Sequence, residues 1–292
     1  MMSLQIYWDR HKDVTLDDEQ RNVLIRDIPQ KSLSRICDYM VEHSFKPNRL
    51  YAQLKLHELP NVEEYYRRYV MHVLRDECSI MVIDEKTNEI FGVALVKLMT
   101  KEWRSWTIWL QVLDTSTLFS EFMLLRRMHL LKFYEEHPDR DCNSLHLFEY
   151  YMRSELKADA VFMRKFFNAI FEVARHLLMP HVTFVGTTLE EQLQAEAAGF
   201  HALSHLIYSL LENQGVRAFQ SLRDIDEMYM VLYEREIEPI TPFYRLPPPH
   251  VYDEEDRLKH EKRSEIEEEA DTSSKRLDMD NKRQSATNLA VK

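Results

Sequence analysis

The chain has 292 residues, of which 45% are hydrophobic and 30% charged, as is ordinary for a globular protein with a sizeable core. The formal net charge of −11 disfavours nucleic acid as a partner of the whole chain. Four glycines are present, Gly92, Gly186, Gly199 and Gly215, so the clustered glycines of a Walker loop or a Rossmann fingerprint are excluded.

The cysteines and the apolar runs indicate a reducing compartment without a membrane anchor. Cys37, Cys78 and Cys142 are widely spaced, which predicts reduced thiols and neither a disulfide framework nor a zinc knuckle. Residues 1–24 are polar, and no stretch approaches the roughly 18 apolar residues of a membrane span. We therefore expect no signal peptide, no membrane contact and a cytoplasmic location.

The first third of the chain predicts a strand, two helices and a hairpin. Residues 1–21 are expected to be a loosely ordered polar extension, and 22–28 is expected to be the first strand. Helices are predicted at 32–45 and 59–77, because apolar residues recur at helical spacing. Two β-rich runs flank the turn-prone segment 84–89, which predicts a hairpin.

The rest of the domain predicts alternating helices and strands. Helices are expected at 120–137, 161–179 and 189–200, and strands at 144–152, 181–188, 201–211 and 226–236. This order predicts one α/β domain over 22–236 with a mixed sheet and a central β-α-β unit. Residues 237–292 are expected to be a linker and a disordered charged tail, either an interaction tail or a solvated appendage.

Three segments in a fixed order carry a resemblance to a known family. They are VLIRDIPQKSLSRICDYMVEHSF (23–45), MVIDEKTNEIFGVALV (81–96) and QAEAAGFHALSHLIY (194–208). This set resembles the GCN5-related N-acetyltransferase (GNAT) superfamily, and within it the insect arylalkylamine and dopamine N-acetyltransferase-like group. The resemblance implies a mixed, mostly antiparallel sheet with splayed central strands and flanking helices. It also implies transfer of an acetyl group from acetyl-CoA to a small amine.

The resemblance further implies where acetyl-CoA would bind. The pantetheine arm would pair with the backbone of the strand at 145–152, and the pyrophosphate would lie on amides of the following turn. The residues implied are Phe148, Tyr150, Tyr151, Met152, Lys157, Ala158, Ala160, Val161 and Phe162. The family's glycines are absent from the turn, a bulky Phe162 or Met163 is expected to project toward the phosphates, and Asp159 adds a negative charge. We therefore expect the splayed strands of the fold to be present and the binding site for the pyrophosphate to be weak.

Three residues are candidates for proton transfer. In the resembled group a glutamate follows the first helix, but Asn48 stands there in this chain and cannot accept a proton usefully. Glu149 is the candidate base, because a carboxyl among apolar residues has a raised pKa; alternatively it is solvated or salt-bridged. His146 is either a proton shuttle or a packed histidine. Tyr208 is a candidate general acid, since Ala195 replaces the family's tyrosine.

Two functions stay open at this point. The chain is either an active N-acetyltransferase or a catalytically inactive GNAT-fold pseudoenzyme that binds an unknown protein partner. Trp103, Trp106 and Trp109 either stack on an aromatic amine or pack the hairpin. His201 and His205 do not make a metal pair at strand spacing, and no metal site is predicted.

Overall fold

The computed structural model describes residues 6–100, 118–138, 143–216, 219 and 227–238. The tryptophan cluster Trp103, Trp106 and Trp109, the cysteine Cys142 and the tail from residue 239 lie outside the described residues. The predictions made for them stay predictions. No described helix has the length and apolar character that crossing a membrane requires.

One sheet runs through the described part of the chain and contains eight strands. They are Tyr7–Leu16 (β1), Glu19–Asp27 (β2), Ile80–Asp84 (β3), Ile90–Met99 (β4), Ser144–Met152 (β5), His181–Gly186 (β6), His201–Ile207 (β7) and Tyr229–Glu236 (β8). Their spatial order is β1-β2-β3-β4-β5-β6-β8-β7. The β5–β6 pair is parallel and the other pairs are antiparallel, which confirms the predicted mixed, mostly antiparallel sheet.

Helices cover both faces of this sheet. They are Leu33–Met40 (α1), Arg49–Gln53 (α2), Val62–Leu74 (α3), Leu118–Glu136 (α4), Ser154–Ala158 (α5), Ala160–His176 (α6), Leu189–Ala197 (α7) and Tyr208–Asn213 (α8). The π-helical turn Val41–Phe45 follows α1, and 3-10 turns lie at Gln30–Ser32 and Leu56–Glu58. The helices predicted from apolar spacing therefore form near the expected positions.

Two apolar cores form because alternate strand residues point to opposite faces of the sheet. On β8, Met230 and Leu232 belong to the core under α1, α3 and α4. Val231 and Tyr233 belong to the core under α6 and α7. The central strands β4 and β5 are buried by both cores, so polar groups placed on them are shielded from water.

The prediction of a loosely ordered N-terminus is wrong for β1. This strand pairs with β2, Leu16 is fully buried, and the Trp8 indole Nε1 donates to Asp27 Oδ1 at 2.7 Å. Its charged residues hide the apolar alternation in the sequence. They suit an edge strand, because charge on an edge discourages pairing with another chain.

The strand predicted at 201–211 is too long, and Tyr208 begins α8. The last pair between β7 and β8 joins Ile207 to Tyr229, and Tyr229 is the first residue of β8. Beyond Ile207 one more backbone hydrogen bond forms, from Tyr208 N to the Met228 carbonyl at 3.1 Å. The chain then turns into a helix, and the Tyr208 side chain is buried.

Candidate active site

The strands β5 and β6 separate halfway along their length. Their parallel pairing runs from Ser144–His181 to Leu147–Phe184 and ends there among the described residues. On its other side β5 stays paired with β4 as far as Met152. The two central strands therefore diverge over the second half of β5, which confirms the predicted splay.

A β-bulge lies at the point of divergence. The register of β5 against β4 shifts by one residue at Phe148, between Leu147 and Glu149. The Phe148 carbonyl accepts a hydrogen bond from the buried guanidinium of Arg126 on α4. The bulge allows Phe148 and Glu149 to face the same core, although they are neighbours on a strand.

The Glu149 carboxyl group is buried, with 5% of the residue exposed. Its Oε1 accepts hydrogen bonds from Ser44 Oγ and from the Tyr66 hydroxyl, the latter at 2.8 Å. Its Oε2 is buried and has no hydrogen-bond partner among the described residues. Burial raises the pKa of the Glu149 carboxyl, although Ser44, Arg126 and Tyr66 each oppose the rise. A buried carboxylate with a raised pKa and one uncommitted oxygen is suited to accept a proton.

The partner Ser44 is supplied by the π-helical turn after α1. Lys46 N donates to Val41 O at 3.0 Å, five residues back, which is the wider spacing of a π-helix. This turn buries both Ser44 and Phe45 against the sheet. Single π-turns occur frequently at functional sites. The sequence predicted a continuous α-helix here and gave no sign of the widening.

Tyrosines surround the Glu149 carboxyl. Tyr51, Tyr66 and Tyr69 are buried, and burial raises the pKa of each phenol, with a further rise from the negative charge of Glu149. These phenols therefore stay protonated at neutral pH. The surroundings of Glu149 are rich in hydroxyl groups and shielded from bulk solvent, which strengthens any charge interaction made there.

His146 lies in the paired half of β5, before the divergence. Its Nδ1 is 3.0 Å from Thr183 Oγ1 on β6, and its ring lies edge-on to Phe148 at 4.5 Å. Burial and the charge of Arg126 lower the pKa of His146 to about 3. A neutral histidine in this position fits the packed alternative better than a proton shuttle.

Tyr208 lies on the β6 side of the divergence. Its hydroxyl donates to the Thr187 carbonyl just beyond β6 at 2.8 Å, and its ring stacks on Phe219 with centroids 5.2 Å apart. Burial raises the pKa of Tyr208 well above its ordinary value. The proton of this hydroxyl is thus held by a backbone carbonyl.

The strand residues expected beside the cofactor divide between the two cores. Tyr150 donates to Gln194 Oε1 on α7, and Met152 is buried in the same core. Tyr151 is half-buried on the opposite face, where its ring lies 5.6 Å from that of Tyr39. Tyr150 therefore links the diverging half of β5 to α7.

The start of α6, where the pyrophosphate was expected, is capped by the chain's own carboxylate. Asp159 Oδ1 accepts from Val161 N at 2.9 Å and from Phe162 N at 3.1 Å. These are the free amides of a helix start, which would otherwise hold a phosphate. Ala160 and Val161 are exposed beside the cap.

The expectation that Phe162 projects toward the phosphates is wrong. Its side chain is fully buried in the core, 5.6 Å from the ring of His11. Phe162 and Phe166 are four residues apart and lie on the buried stripe of α6, so helical periodicity turns both inward. Met163 instead lines a groove of about 200 Å³ between α6 and α7.

Lys157 and Ala158 also line this groove. The Lys157 ammonium donates to Glu190 Oε2 on the first turn of α7 at 2.6 Å. The ammonium group that stands nearest to the expected phosphate position in the sequence is therefore paired with a carboxylate. Asn48, at the family's glutamate position, caps α2 by accepting from Tyr51 N at 3.0 Å.

The sequence reasoning missed a second, outer groove of about 470 Å³. Its walls include the rings of Tyr39, His43 and Tyr151 and charged side chains of both signs, namely Arg35, Asp38, Glu42, Glu89 and Arg153. The spacing of Tyr39 and His43, four apart on one helical face, was the available signal. The three rings form a surface on which another aromatic ring can pack.

Comparisons with known proteins concern the fold. No family model matches the chain, and no curated protein sequence matches it. Solved structures do match. Arylalkylamine N-acetyltransferase 7 of the mosquito Aedes aegypti is 14% identical with a TM-score of 0.67, covering 81% of this chain and 97% of that one. Arylalkylamine N-acetyltransferase 2 of Aedes aegypti is 16% identical with a TM-score of 0.61, covering 74% and 99%.

A third match has a different acceptor in its name. The polyamine N-acetyltransferase of Drosophila melanogaster is 10% identical with a TM-score of 0.59, covering 73% of this chain and 99% of that one. At such identities the likeness extends to the fold and does not identify the substrate. Nearly the whole length of each matched protein is covered, so the common part is a complete domain of those proteins.

Proposed function

Because the chain has the GNAT acetyltransferase fold that the sequence predicted, we propose that it transfers an acetyl group from acetyl-CoA to a small amine. The observation that carries the proposal is the Glu149 carboxyl, which is buried at the bulge where β5 and β6 diverge. The names of the matched proteins, which refer to arylalkylamines and polyamines, support an amine as acceptor.

The described residues fit the pantetheine arm of acetyl-CoA better than they fit its pyrophosphate. The divergence of β5 and β6 supports entry of a narrow arm such as pantetheine. Gln194 lines the groove between α6 and α7 and accepts from Tyr150, so this groove borders the diverging half of β5. The pyrophosphate fits poorly, because Asp159 holds the amides of Val161 and Phe162.

Glu149 is the proposed base. When bound, acetyl-CoA supplies the thioester whose C–S bond breaks as the new C–N bond forms. Ser44 and Tyr66 hold Oε1 of Glu149, which leaves Oε2 to accept the proton that the amine loses. The positive charge of Arg126 favours the ionised form of Glu149, which is the form that can take a proton.

The outer groove is the proposed acceptor surface. Tyr151 lines it and is two residues from Glu149 on the same strand. The rings of Tyr39, His43 and Tyr151 suit an arylalkyl group, whereas Glu42 and Glu89 are already paired with Lys46 and Arg21. This surface supports an aromatic amine at least as well as an aliphatic one.

The start of α6, where the pyrophosphate was expected to bind, favours a second candidate function. The Asp159 cap and the Lys157–Glu190 pair occupy the amides and one cation that an acyl-CoA would use. These contacts favour a catalytically inactive GNAT-fold protein that binds another partner. The cytoplasmic location and the interaction tail over 237–292 stay predictions.

A thiol-release assay with acetyl-CoA and a panel of arylalkylamines and polyamines tests the proposal. We expect release with at least one amine, and a fall in kcat of about 10²–10⁴-fold in Glu149→Gln. Glu58→Gln, at an exposed position, is the control and should keep full activity. Binding of acetyl-CoA without release for any amine would support the inactive candidate instead.

A further inference from the structure

Three potential metal ligands from separate elements meet at the end of the sheet opposite to the divergence. His137 directly follows α4, His181 is the first residue of β6, and Glu234 lies on β8. The ligand atoms of the three side chains all lie within 4.8 Å of one another. They are far apart in the sequence, so spacing rules could not find them.

The register of β6 against β8 explains why His181 and Glu234 lie close together. His181 pairs with Glu236 across β6 and β8, and Glu234 is two residues from Glu236 on the same face. His137 reaches this face from the end of α4, and the ring of Phe133 packs 4.9 Å from His137 and 5.3 Å from His181. An apolar ring thus shields one side of the cluster.

The distances within the cluster are short. His181 Nδ1 lies 2.6 Å from Glu234 Oε1, and His137 Nε2 lies 3.0 Å from the same carboxylate. The exposed fractions of the side chains are 23% for His137, 3% for His181 and 12% for Glu234. The cluster is therefore shielded yet reachable from the His137 side.

The decisive atom is Nδ1 of His181. It is buried and lies 2.6 Å from Glu234 Oε1, in an orientation that does not meet the geometry of a hydrogen bond with a described residue. A buried polar nitrogen destabilises the fold unless a partner of suitable geometry satisfies it. A cation between the nitrogen and the carboxylate oxygen would satisfy both atoms.

We propose that His137, His181 and Glu234 bind a zinc ion. Two imidazoles and one carboxylate are a ligand set that zinc uses, with a water or another small ligand in the fourth position. Zinc bonds of about 2.0–2.2 Å require neighbouring ligand atoms to lie about 3.3 Å apart. The 3.0 Å separation is already close to this value, and the 2.6 Å separation needs to widen by less than 1 Å.

The bound ion would tie the end of α4 to β6 and β8. A ligand that binds the folded protein and not the unfolded chain stabilises the fold by mass action. Because the cluster lies at the start of β6 and the divergence begins after Phe184, this role is separate from acetyl transfer. The site can therefore exist whether or not the proposed enzyme activity does.

Titration of the full chain with zinc chloride tests the proposal. We expect one zinc per chain by calorimetry and by elemental analysis, and a higher unfolding temperature with zinc than with chelator. His137→Gln should weaken binding at least tenfold, because this residue follows a helix and can be replaced without opening a strand. His205→Gln, an exposed histidine on β7, should leave binding unchanged.

Cobalt substitution supplies a readout that does not depend on any variant. We expect the cobalt-loaded chain to show the intense visible absorption of four-coordinate cobalt, and Glu234→Gln to lose it. A substoichiometric zinc content, or zinc binding that His137→Gln leaves intact, would overturn the proposal. The cluster would then be a histidine–carboxylate ion pair without a metal.

Discussion

His146 and Glu149 lie three residues apart on β5, and burial shifts their pKa values in opposite directions. It lowers the pKa of His146 to about 3 and raises the pKa of the Glu149 carboxyl. In both residues burial disfavours the charged form. They differ in what their polar atoms contact: His146 Nδ1 is beside Thr183 Oγ1, whereas one oxygen of Glu149 is uncommitted. Glu149 is therefore the residue of the two that can exchange a proton.

Residue type and local sequence were enough to predict Glu149 as the candidate base. Its partners could not be predicted, because Ser44 is 105 positions away and Tyr66 is 83 positions away. Contacts at such separations depend on how α1 and α3 pack on the sheet. The alternative of a solvated or salt-bridged Glu149 does not describe its surroundings, which are buried and rich in hydroxyl groups.

Glu149→Gln should make the fold more stable at alkaline pH. A carboxyl group with a raised pKa contributes stability fully below the unfolded value near 4.5, and loses this contribution as the pH rises through the folded value. We expect the variant to be more stable than the parent at pH 8 and to lose this advantage below pH 4.5. Urea unfolding at both pH values measures it. A less stable variant at pH 8 would contradict the account.

Three buried histidines should make the protein unstable in acid. Burial lowers the pKa of His72 and His129 to about 4 and that of His146 to about 3. Their stabilising contribution is complete above pH 6.5 and is lost as the pH falls toward these folded values. We expect each to reduce the free energy of unfolding by up to about 1.4 kcal/mol per pH unit. Equal stability in urea at pH 7.5 and pH 5 would contradict this expectation.

At the scale of elements, the start of α6 decides how an acyl-CoA could bind. The missing glycines in the sequence predicted weak binding of the pyrophosphate. The structure adds a second reason, because Asp159 caps the helix and occupies its first free amides. Runs of apolar and β-branched residues predicted β2 to β6, but charged residues concealed β1, and the start of β8 at Tyr229 limits β7. Edge strands were thus the elements least open to prediction, because their pattern is weak.

Asp159→Asn should strengthen binding of acetyl-CoA. Asparagine caps a helix about as well as aspartate, so the variant keeps the helix start and removes the negative charge near the phosphates. We expect the affinity to rise about fivefold at low salt, which corresponds to roughly 1 kcal/mol. Calorimetric titration measures the change. Asp18→Asn, in the exposed turn between β1 and β2, is the control, and an unchanged affinity in Asp159→Asn would contradict the argument.

At the scale of the whole molecule, the divergence at the centre of the sheet organises the described domain. Each central strand is buried by two cores, so separating β5 from β6 requires other groups to satisfy the edges. Just past the end of β6 the Tyr208 hydroxyl donates to the Thr187 carbonyl, and on the β5 side the Tyr150 hydroxyl donates to Gln194 Oε1. These two contacts lie beyond the point where the pairing of β5 and β6 ends.

Calorimetric titration of the full chain with acetyl-CoA tests the central claim most directly. If the opening between β5 and β6 accepts the pantetheine arm, a saturable heat with one site per chain will be observed at or below millimolar concentration, despite the capped start of α6. The absence of both heat and a shift in unfolding temperature at millimolar acetyl-CoA would contradict the proposed transferase.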